Sequence, residues 1–490
     1  MDAFRRLQER LPAVLALNDL GGTASHVVVA LPSFSMGETL LSHYATRLPA
    51  MEHRYLLAAL LVGRIPGAKF LLVTCGAADD VVLDYYARLA SGDASGRSDG
   101  VRRRISTLVV PDDTPRGVAA KLLDRPDLLD ELRARIGDRP AFIEPWNVTT
   151  DEVEVALALD APVNGTHPDL WPLGFKSAGR RLFHEAGVPT PAGAEDVHDA
   201  AEIAQAVALI RRSRPRLDRV VVKQDNSGAG DGNRVVSTRD ASGHRLSRRT
   251  LGEQALVGAS PTFAVDLAAG GVVEELVAGS TVTSPSVQLD LRPDGDVRVV
   301  ATHEQMLGGD NGQVFVGSRF PADPAYADVL ARHGQAVGRL LAEAGAVGRV
   351  AIDFVALRRA GAWQVFALEL NLRKGGTTYP YAALRHLAPG HYDVQAGRWR
   401  ADSGGERCYR AGDAVLDPAW LGMPPEQAID AVDAAGLAFD PARGTGVVLH
   451  MLGGLAIDGR VGVVAIGGTR QEAETLYAAV PAALHRTVRR

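Results

Sequence analysis

The sequence predicts a multidomain protein of mixed α/β and α+β class. Three observations predict it. At 490 residues the chain exceeds what one hydrophobic core usually serves, so several lobes are expected. Up to about residue 165 apolar strand-like runs alternate with helical patterns, as in a parallel sheet with helices on its faces. Beyond that point strands come in neighbouring pairs joined by short Gly-containing turns, as in antiparallel sheet.

In the first lobe, 1–165, residues 26–31 read as a buried strand, 52–62 as an amphipathic helix, 69–73 and 106–110 as further strands, and 117–136 as helix. Phe142-Ile143-Glu144-Pro145-Trp146 closes the series. Leu31-Pro32-Ser33-Phe34-Ser35 stands where a Gly-x-Gly-x-x-Gly would follow the first strand, so a dinucleotide site has weak support. Residues 91–100, rich in Gly, Ser and Asp, read as a surface loop.

Residues 176–189 read as a helix with an apolar stripe, ended by Gly187 and followed by Pro189, and 200–211 as another. The run 219–223 is a strand that ends in Lys223, and the Gly/Ser loop 226–233 follows it. Such a loop can fold over a triphosphate and donate backbone N–H groups while Lys223 supplies a fixed charge. A glycine-rich hairpin without a ligand is the plain alternative. The loop opens into a strand, 234–237, which argues against a P-loop fold. Residues 271–279 form a strand that runs into a bend, where backbone groups can read a purine and an acidic side chain can hold its amino group or the ribose. A hairpin over 287–291 and 297–302 leads into His303-Glu304-Gln305, with the polar segment 308–319 hanging off it and a helix over 326–344 after it.

The most informative stretch comes next. Residues 348–354 and 366–376 read as adjacent antiparallel strands with the turn at Arg358-Arg359-Ala360-Gly361. Glu369 and Asn371 are spaced i, i+2, so both leave one face of the strand and can meet Asp353 from its neighbour. Oxygen donors of this kind suit Mg2+, which prefers a carboxylate or two, waters and phosphates. Solvated edge acids are the alternative, and the apolar run 365–368 around Glu369 argues against them. Arg373 and Lys374 add positive charge beside this set. The last stretch, 401–490, reads as a small α+β unit with helices at 424–436 and 470–479 and strands at 446–452 and 461–466.

Composition narrows the classes. A 46% hydrophobic fraction with 23% charge excludes a mostly disordered chain, and a net charge of -5 gives no footprint for nucleic acid. Cys75 and Cys408 cannot form a disulfide framework, and no Cys-His cluster has zinc spacing, so a reducing cytoplasm is expected. The N-terminus lacks the apolar core of a signal peptide. The most apolar long window, 55–74, is broken by Arg64, Pro66 and Lys69, so no membrane span is expected.

Taken in order, Lys176, Lys223, the glycine loop, Glu274-Glu275-Leu276-Val277, Asp353 and Glu369-Leu370-Asn371-Leu372-Arg373 resemble an ATP-grasp enzyme over roughly residues 164–389. The continuation through Lys374-Gly375-Gly376-Thr377-Thr378-Tyr379-Pro380, with His303-Glu304-Gln305 and the run 444–450, is similar to the pheganomycin-type peptide ligase family. Those proteins join an amino acid-like carboxylate to the amine of a peptide. The resemblance implies an ATP-grasp domain over 166–400, with a nucleotide lobe (about 166–275) and a metal and catalytic lobe (about 276–400). A pre-ATP-grasp-like lobe would precede it and the small α+β domain follow it. ATP and Mg2+, or Mn2+ in its place, would be the cofactors.

Residue by residue, the resemblance implies that Lys176 and Lys223 contact phosphates and that Ser227, Gly228, Gly230, Gly232 and Asn233 belong to a lid. Glu274, Glu275, Leu276 and Val277 would hold adenine and ribose. Asp353, Glu369 and Asn371 would bind the metal. Some ATP-grasp ligases place an arginine two residues before the first metal Asp; Ala351 stands there and Arg349 lies two further back, so the transferred phosphate falls to Arg373, with Lys374 beside it. His303, Glu304, Ser318, Arg319 and Gly375 are the expected substrate contacts, and His303, Glu304 and His386 stay open as the base.

The expected chemistry follows from charge. A carboxylate is a poor electrophile and must first take the γ-phosphoryl group of ATP; an amine then displaces phosphate from the acyl phosphate to give an amide. The expected partners are a small-molecule acid and an amine or peptide, in peptide natural-product biosynthesis, with no nucleic acid and no membrane. A homodimer is left open. A phosphotransferase on the same fold and a non-catalytic nucleotide-binding module are the alternatives.

Overall fold

The computed structural model describes residues 2–34, 41–42, 44–92, 98–227, 232–259, 261–308 and 314–488. Ser35 and the middle of the expected loop 91–100 lie outside them. The first sheet consists of β1 (His26–Leu31), β2 (Ala68–Thr74), β3 (Ile105–Val109) and β4 (Ala141–Pro145), parallel and ordered β3-β2-β1-β4. Every residue of β1 is buried because both faces are covered. Val28 and Ala30 pack into one core, with the helical run after residue 48 and strands from the C-terminal region; Val27, Val29 and Leu31 pack into another, with helices Pro126–Ile136 and Thr150–Leu159.

Two expected helices are broken. The segment expected over 52–62 is a series of short helical turns from Leu48 to Gly63, and the one expected over 117–136 divides into Val118–Leu123 and Pro126–Ile136. Pro126 lacks the N–H a continuous helix needs and its ring clashes with the preceding turn. Within the expected loop, Ser98–Arg102 forms a short helix.

Glu52 is 2% exposed at the end of β2, where its carboxylate accepts from Thr74 Oγ1 (2.8 Å) and the Cys75 N–H (2.6 Å). Burial pushes its pKa up to about 7, against the pull of those hydrogen bonds and Lys121. A folded-state value above the unfolded one of 4.5 means that this group's contribution is full below pH 4.5 and is lost as pH rises through about 7. The loss amounts to about 3 kcal/mol. Glu52→Gln is expected to flatten that fall, which urea unfolding at stepped pH would show.

The second sheet is antiparallel: β5 (Gly193–Ala194), β6 (Arg219–Gln224), β7 (Asn233–Ser237) and β8 (Gly271–Glu275), ordered β5-β8-β6-β7. Helices Ala200–Ser213 and Arg248–Leu256 share a core with it. Helix Lys176–Glu185 has no cap from its own preceding residue; Asp225, just past β6, accepts from both the N–H (2.9 Å) and the hydroxyl (2.8 Å) of Ser177. That bond ties the helix start, and Lys176 with it, to the end of β6.

The third sheet is ten-stranded. It contains β9 (Val282–Leu291), β10 (Val297–Gly308), β11 (Val314–Phe320), β12 (Gly348–Arg359), β13 (Ala362–Asn371), β14 (Gly390–Asp393), β15 (Arg398–Ala401), β16 (Glu406–Leu416), β17 (Gly446–His450) and β18 (Arg460–Gly467). Its path runs β13-β12-β9-β10-β11-β16-β15-β14, with β18 on β16 and β17 on β18. Two expectations are corrected here. Residues 314–320 are a strand rather than a hanging polar segment, and 309–313 lie outside the described residues. The strands after 401, which read as a separate unit, extend the same sheet through Ser318↔Ala411, Arg319↔Arg410 and Phe320↔Tyr409.

Alternation along the central strands decides where the chemistry can lie. Val287, Leu289, Leu291, Val350, Ile352 and Phe354 share a core with helix Pro324–Glu343, whereas Ser286, Gln288, Ala351 and Asp353 face the other way. The β12–β13 turn is the two residues Ala360 (φ 49°) and Gly361 (φ 84°), the left-handed geometry that matches the twist of a tight hairpin.

Candidate active site

Asp353 and Glu369 are directly opposite on β12 and β13, and a bulge follows between Asp353 and Phe354. The bulge re-aims the strand so that Leu368 lines the cavity beside Glu369. Asn371, two residues on, donates from Nδ2 to Asp353 Oδ2 at 3.0 Å. Gln305 on β10 donates to Asp353 Oδ1 at 2.6 Å, and Ser286 on β9 also hydrogen-bonds this carboxylate. The structure therefore brings the three expected oxygen donors to one point. Burial, then the neighbouring Glu369, pushes the Asp353 pKa up to about 6.

Lys176 and Lys223 come to the same corner. Lys176, 4% exposed, places Nζ 3.6 Å from Glu369 Oε1 and donates to Ser227 O (3.0 Å) and Oγ (2.9 Å). Burial works to raise the Glu369 pKa, but Lys176, Arg373 and Lys223 outweigh it and hold the carboxyl below its ordinary value. Burial lowers Lys176 in turn, against the pull of Glu369. Arg373 lies in the field of Glu369 and Asp353, with its guanidinium 5.9 Å from the Trp146 ring centre. The donor set, two carboxylates and an amide with cations around them, suits a hard cation that shares its coordination with phosphate oxygens. Among the described residues no group of three or more His, Cys, Asp or Glu offers a full protein cage instead.

A cavity of about 600 Å3 opens beside this corner, between the second and third sheets. Lys223 and Glu274 to Val277 line one side, with Val355, Leu368 and Met306 across from them. An apolar slot of that size with a few convergent polar groups suits a nucleotide base and sugar. The Glu274 carboxylate, 2% exposed, is already committed: Arg180 Nη1 reaches Oε2 at 2.9 Å and Lys223 is ion-paired to Oε1. Glu275 likewise accepts from Arg214 (2.9 Å) and the Ala192 N–H (3.0 Å). Both carboxylates therefore hold β8 in place, and the Leu276 N–H bonds to Arg219 O at 3.2 Å.

Several expected residues are not brought to this corner. Lys374 turns away into the first lobe, with Nζ 2.8 Å from Glu144 Oε1 and 2.5 Å from Pro145 O. Gly375 donates to Thr378 Oγ1 at the start of helix Thr378–Leu387. His303 is fully buried against Tyr409 (2.7 Å) and aromatic rings, and burial drops its pKa to about 3. His386 is likewise pushed to about 3 by burial. Ser318 is buried. Glu304 and Arg319 do line the cavity, Glu304 bonded to Tyr326 and the Asp323 N–H, Arg319 paired with Glu474. Gly232 precedes β7 and Asn233 begins it, while Gly228 and Gly230 lie outside the described residues.

Sequence reasoning missed Gln305 as an Asp353 partner, Ser286, Arg180 and Trp146. Only the i+2 alternation of Ser286 and Gln288 along β9 offered a signal.

The architecture and the site define the class. Residues 262–395 match the IQCH-like, ATP-grasp family and 427–480 match the PGM1 C-terminal domain. An N5-carboxyaminoimidazole ribonucleotide synthetase in its ADP complex aligns over 95% of this chain and 98% of its own, with TM-score 0.52 at 13% identity. The biotin carboxylase domain of Hydrogenobacter thermophilus 2-oxoglutarate carboxylase, in complex with MgADP, ADP and bicarbonate, aligns over 94% and 93%, with TM-score 0.52 at 12% identity. At such identities these likenesses show the fold, which is ATP-grasp.

Sequence relatives carry the assignment further. L-propargylglycine--L-glutamate ligase of Streptantibioticus cattleyicolor is 30% identical over 428 residues, 86% of each chain. IQ motif-containing protein H of Danio rerio is 24% identical over 347 residues, 59% of this chain and 32% of that one. The chain belongs to the ATP-grasp carboxylate-amine ligases of the pheganomycin type, a family of ADP-forming enzymes. No helix among the described residues is long and apolar enough to cross a membrane.

Proposed function

We propose that this ligase joins an amino acid-like carboxylate to the amine of an amino acid or peptide through an acyl phosphate, releasing ADP and phosphate in the making of a peptide natural product. The observation that carries the reading is the meeting of Asp353, Glu369 and Asn371 with Lys176, Lys223 and Arg373 beside one nucleotide-sized cavity, which Lys223 lines. The named substrates of the Streptantibioticus relative, two amino acids, support the substrate class.

Each residue has a role in this account. Asp353, Glu369 and Asn371 would hold Mg2+, which when bound neutralises phosphate charge during transfer. Lys176 and Lys223 orient the phosphates. Arg373, the cation next to the metal ligands along the chain, faces the charge that develops on the transferred group. Lys374 holds the loop after Asn371 against Glu144, so its work is to position Arg373. Residues 166–275 serve the nucleotide and 276–400 the metal and the acid, with 1–165 and 401–490 closing the outside of the site.

Incubation with ATP, Mg2+ and mixtures of amino acids or peptides is expected to yield ADP and phosphate only when an acid and an amine are both present, with a product mass equal to their sum less water. A stable phosphorylated product formed without an amine would establish the phosphotransferase alternative instead.

A further inference from the structure

A second cavity, of about 410 Å3, lies between the first sheet and the open face of the third. No residue that lines it also lines the nucleotide cavity. Its floor includes Arg349 on β12 and Asp290 on β9, which are paired in register. Arg349 follows the same strand face as Asp353 but four residues earlier, which puts it about 13 Å along the strand from the metal carboxylate. Between the two along the sheet, Gln288 is bonded to Thr377 at 2.6 Å.

The charged pair on this floor is loosely joined. The Arg349 side chain is 16% exposed, yet its shortest polar contacts among the described residues are 3.5 Å to Gln288 Oε1 and 4.0 Å to Asp290 Oδ1. A guanidinium has five donors in a planar fork and is costly to bury without acceptors. Two further groups that line the cavity, Arg292 Nε and His386 Nδ1, are buried with no partner among the described residues. An acid and a base held apart at 4 Å, with unmatched polar nitrogens around them, form the complement of a zwitterion.

We propose that this cavity is a binding site for a free amino acid, with Arg349 taking the α-carboxylate and Asp290 the α-ammonium. The volume, at the small end of ligand pockets, fits one such molecule. Thr378 and Lys374 line the same cavity, so the bound amino acid presses on the loop that carries Arg373 without reaching the phosphates. The site stands on its own geometry and does not depend on the ligase reaction proposed above.

The test is equilibrium binding by calorimetry to the nucleotide-free protein, with L-leucine, L-glutamate and L-lysine as probes and isocaproate as the acid without an amine. At least one amino acid is expected to bind, isocaproate more weakly. Arg349→Met is expected to weaken binding by about tenfold or more, and Asp290→Asn to weaken the amino acid while leaving isocaproate unchanged. Neither variant is expected to alter MgADP binding, which also reports that each is folded. Failure of every amino acid to bind at millimolar concentration, unchanged binding in Arg349→Met, or displacement of the amino acid by MgADP would each overturn the proposal.

Discussion

Glu369→Gln is expected to abolish ADP release, with a fall in kcat of roughly 10^3-fold and no loss of fold. Glu369 is the one site carboxylate that three cations hold below its ordinary pKa, so it is charged whenever the enzyme works. The amide keeps the shape of the side chain and removes that charge. Asp353 cannot take over, because it is a single carboxylate whose oxygens are already shared with Gln305 and Asn371. The measurement is coupled detection of ADP beside a circular dichroism melt. Full turnover in a folded variant would remove Glu369 from the metal set.

Arg180→Met is expected to lower the unfolding free energy by about 3–5 kcal/mol, the usual cost of leaving a buried charge short of a partner. Arg180 and Glu274 are each 2% exposed, and the guanidinium also satisfies Glu195 Oε1 at 2.7 Å and Pro191 O at 3.0 Å. Its loss would leave Lys223 as the sole countercharge for Glu274 and pull that lysine more firmly away from a nucleotide. Nucleotide affinity should therefore fall together with stability. Urea unfolding would decide it; a change below about 1 kcal/mol would mean that water already reaches the pair.

How much of this was legible in the sequence depended on the range of the contacts. Asp353, Glu369 and Asn371 could be placed because a strand alternates with period two and its hairpin partner is a few residues away. The order of lysines, glycine loop, 274–277 bend and metal strands was legible only through its resemblance to ATP-grasp enzymes. Arg180 could not be matched to Glu274, 94 residues on, since nothing local marks a buried ion pair. Lys374 was misplaced because its direction is set by β4, whose Pro145 carbonyl is 229 residues earlier in the chain. The strands after 401 looked separate because pairing of β16 with β11 leaves no trace in local patterning. His303 and His386 invited a catalytic reading by residue type alone; the fold sets His303 against Tyr409 and His386 in the second cavity, and burial lowers the pKa of both.

The central claim is that the two hairpin strands hold a divalent cation together with the nucleotide. Electron paramagnetic resonance of Mn2+ titrated into protein with ADP tests it most directly, in the wild type and in Asp353→Asn. The account predicts a broadened, protein-bound Mn2+ signal in the wild type that the variant loses at the same ADP concentration. An unchanged bound signal in a folded Asp353→Asn protein would contradict it.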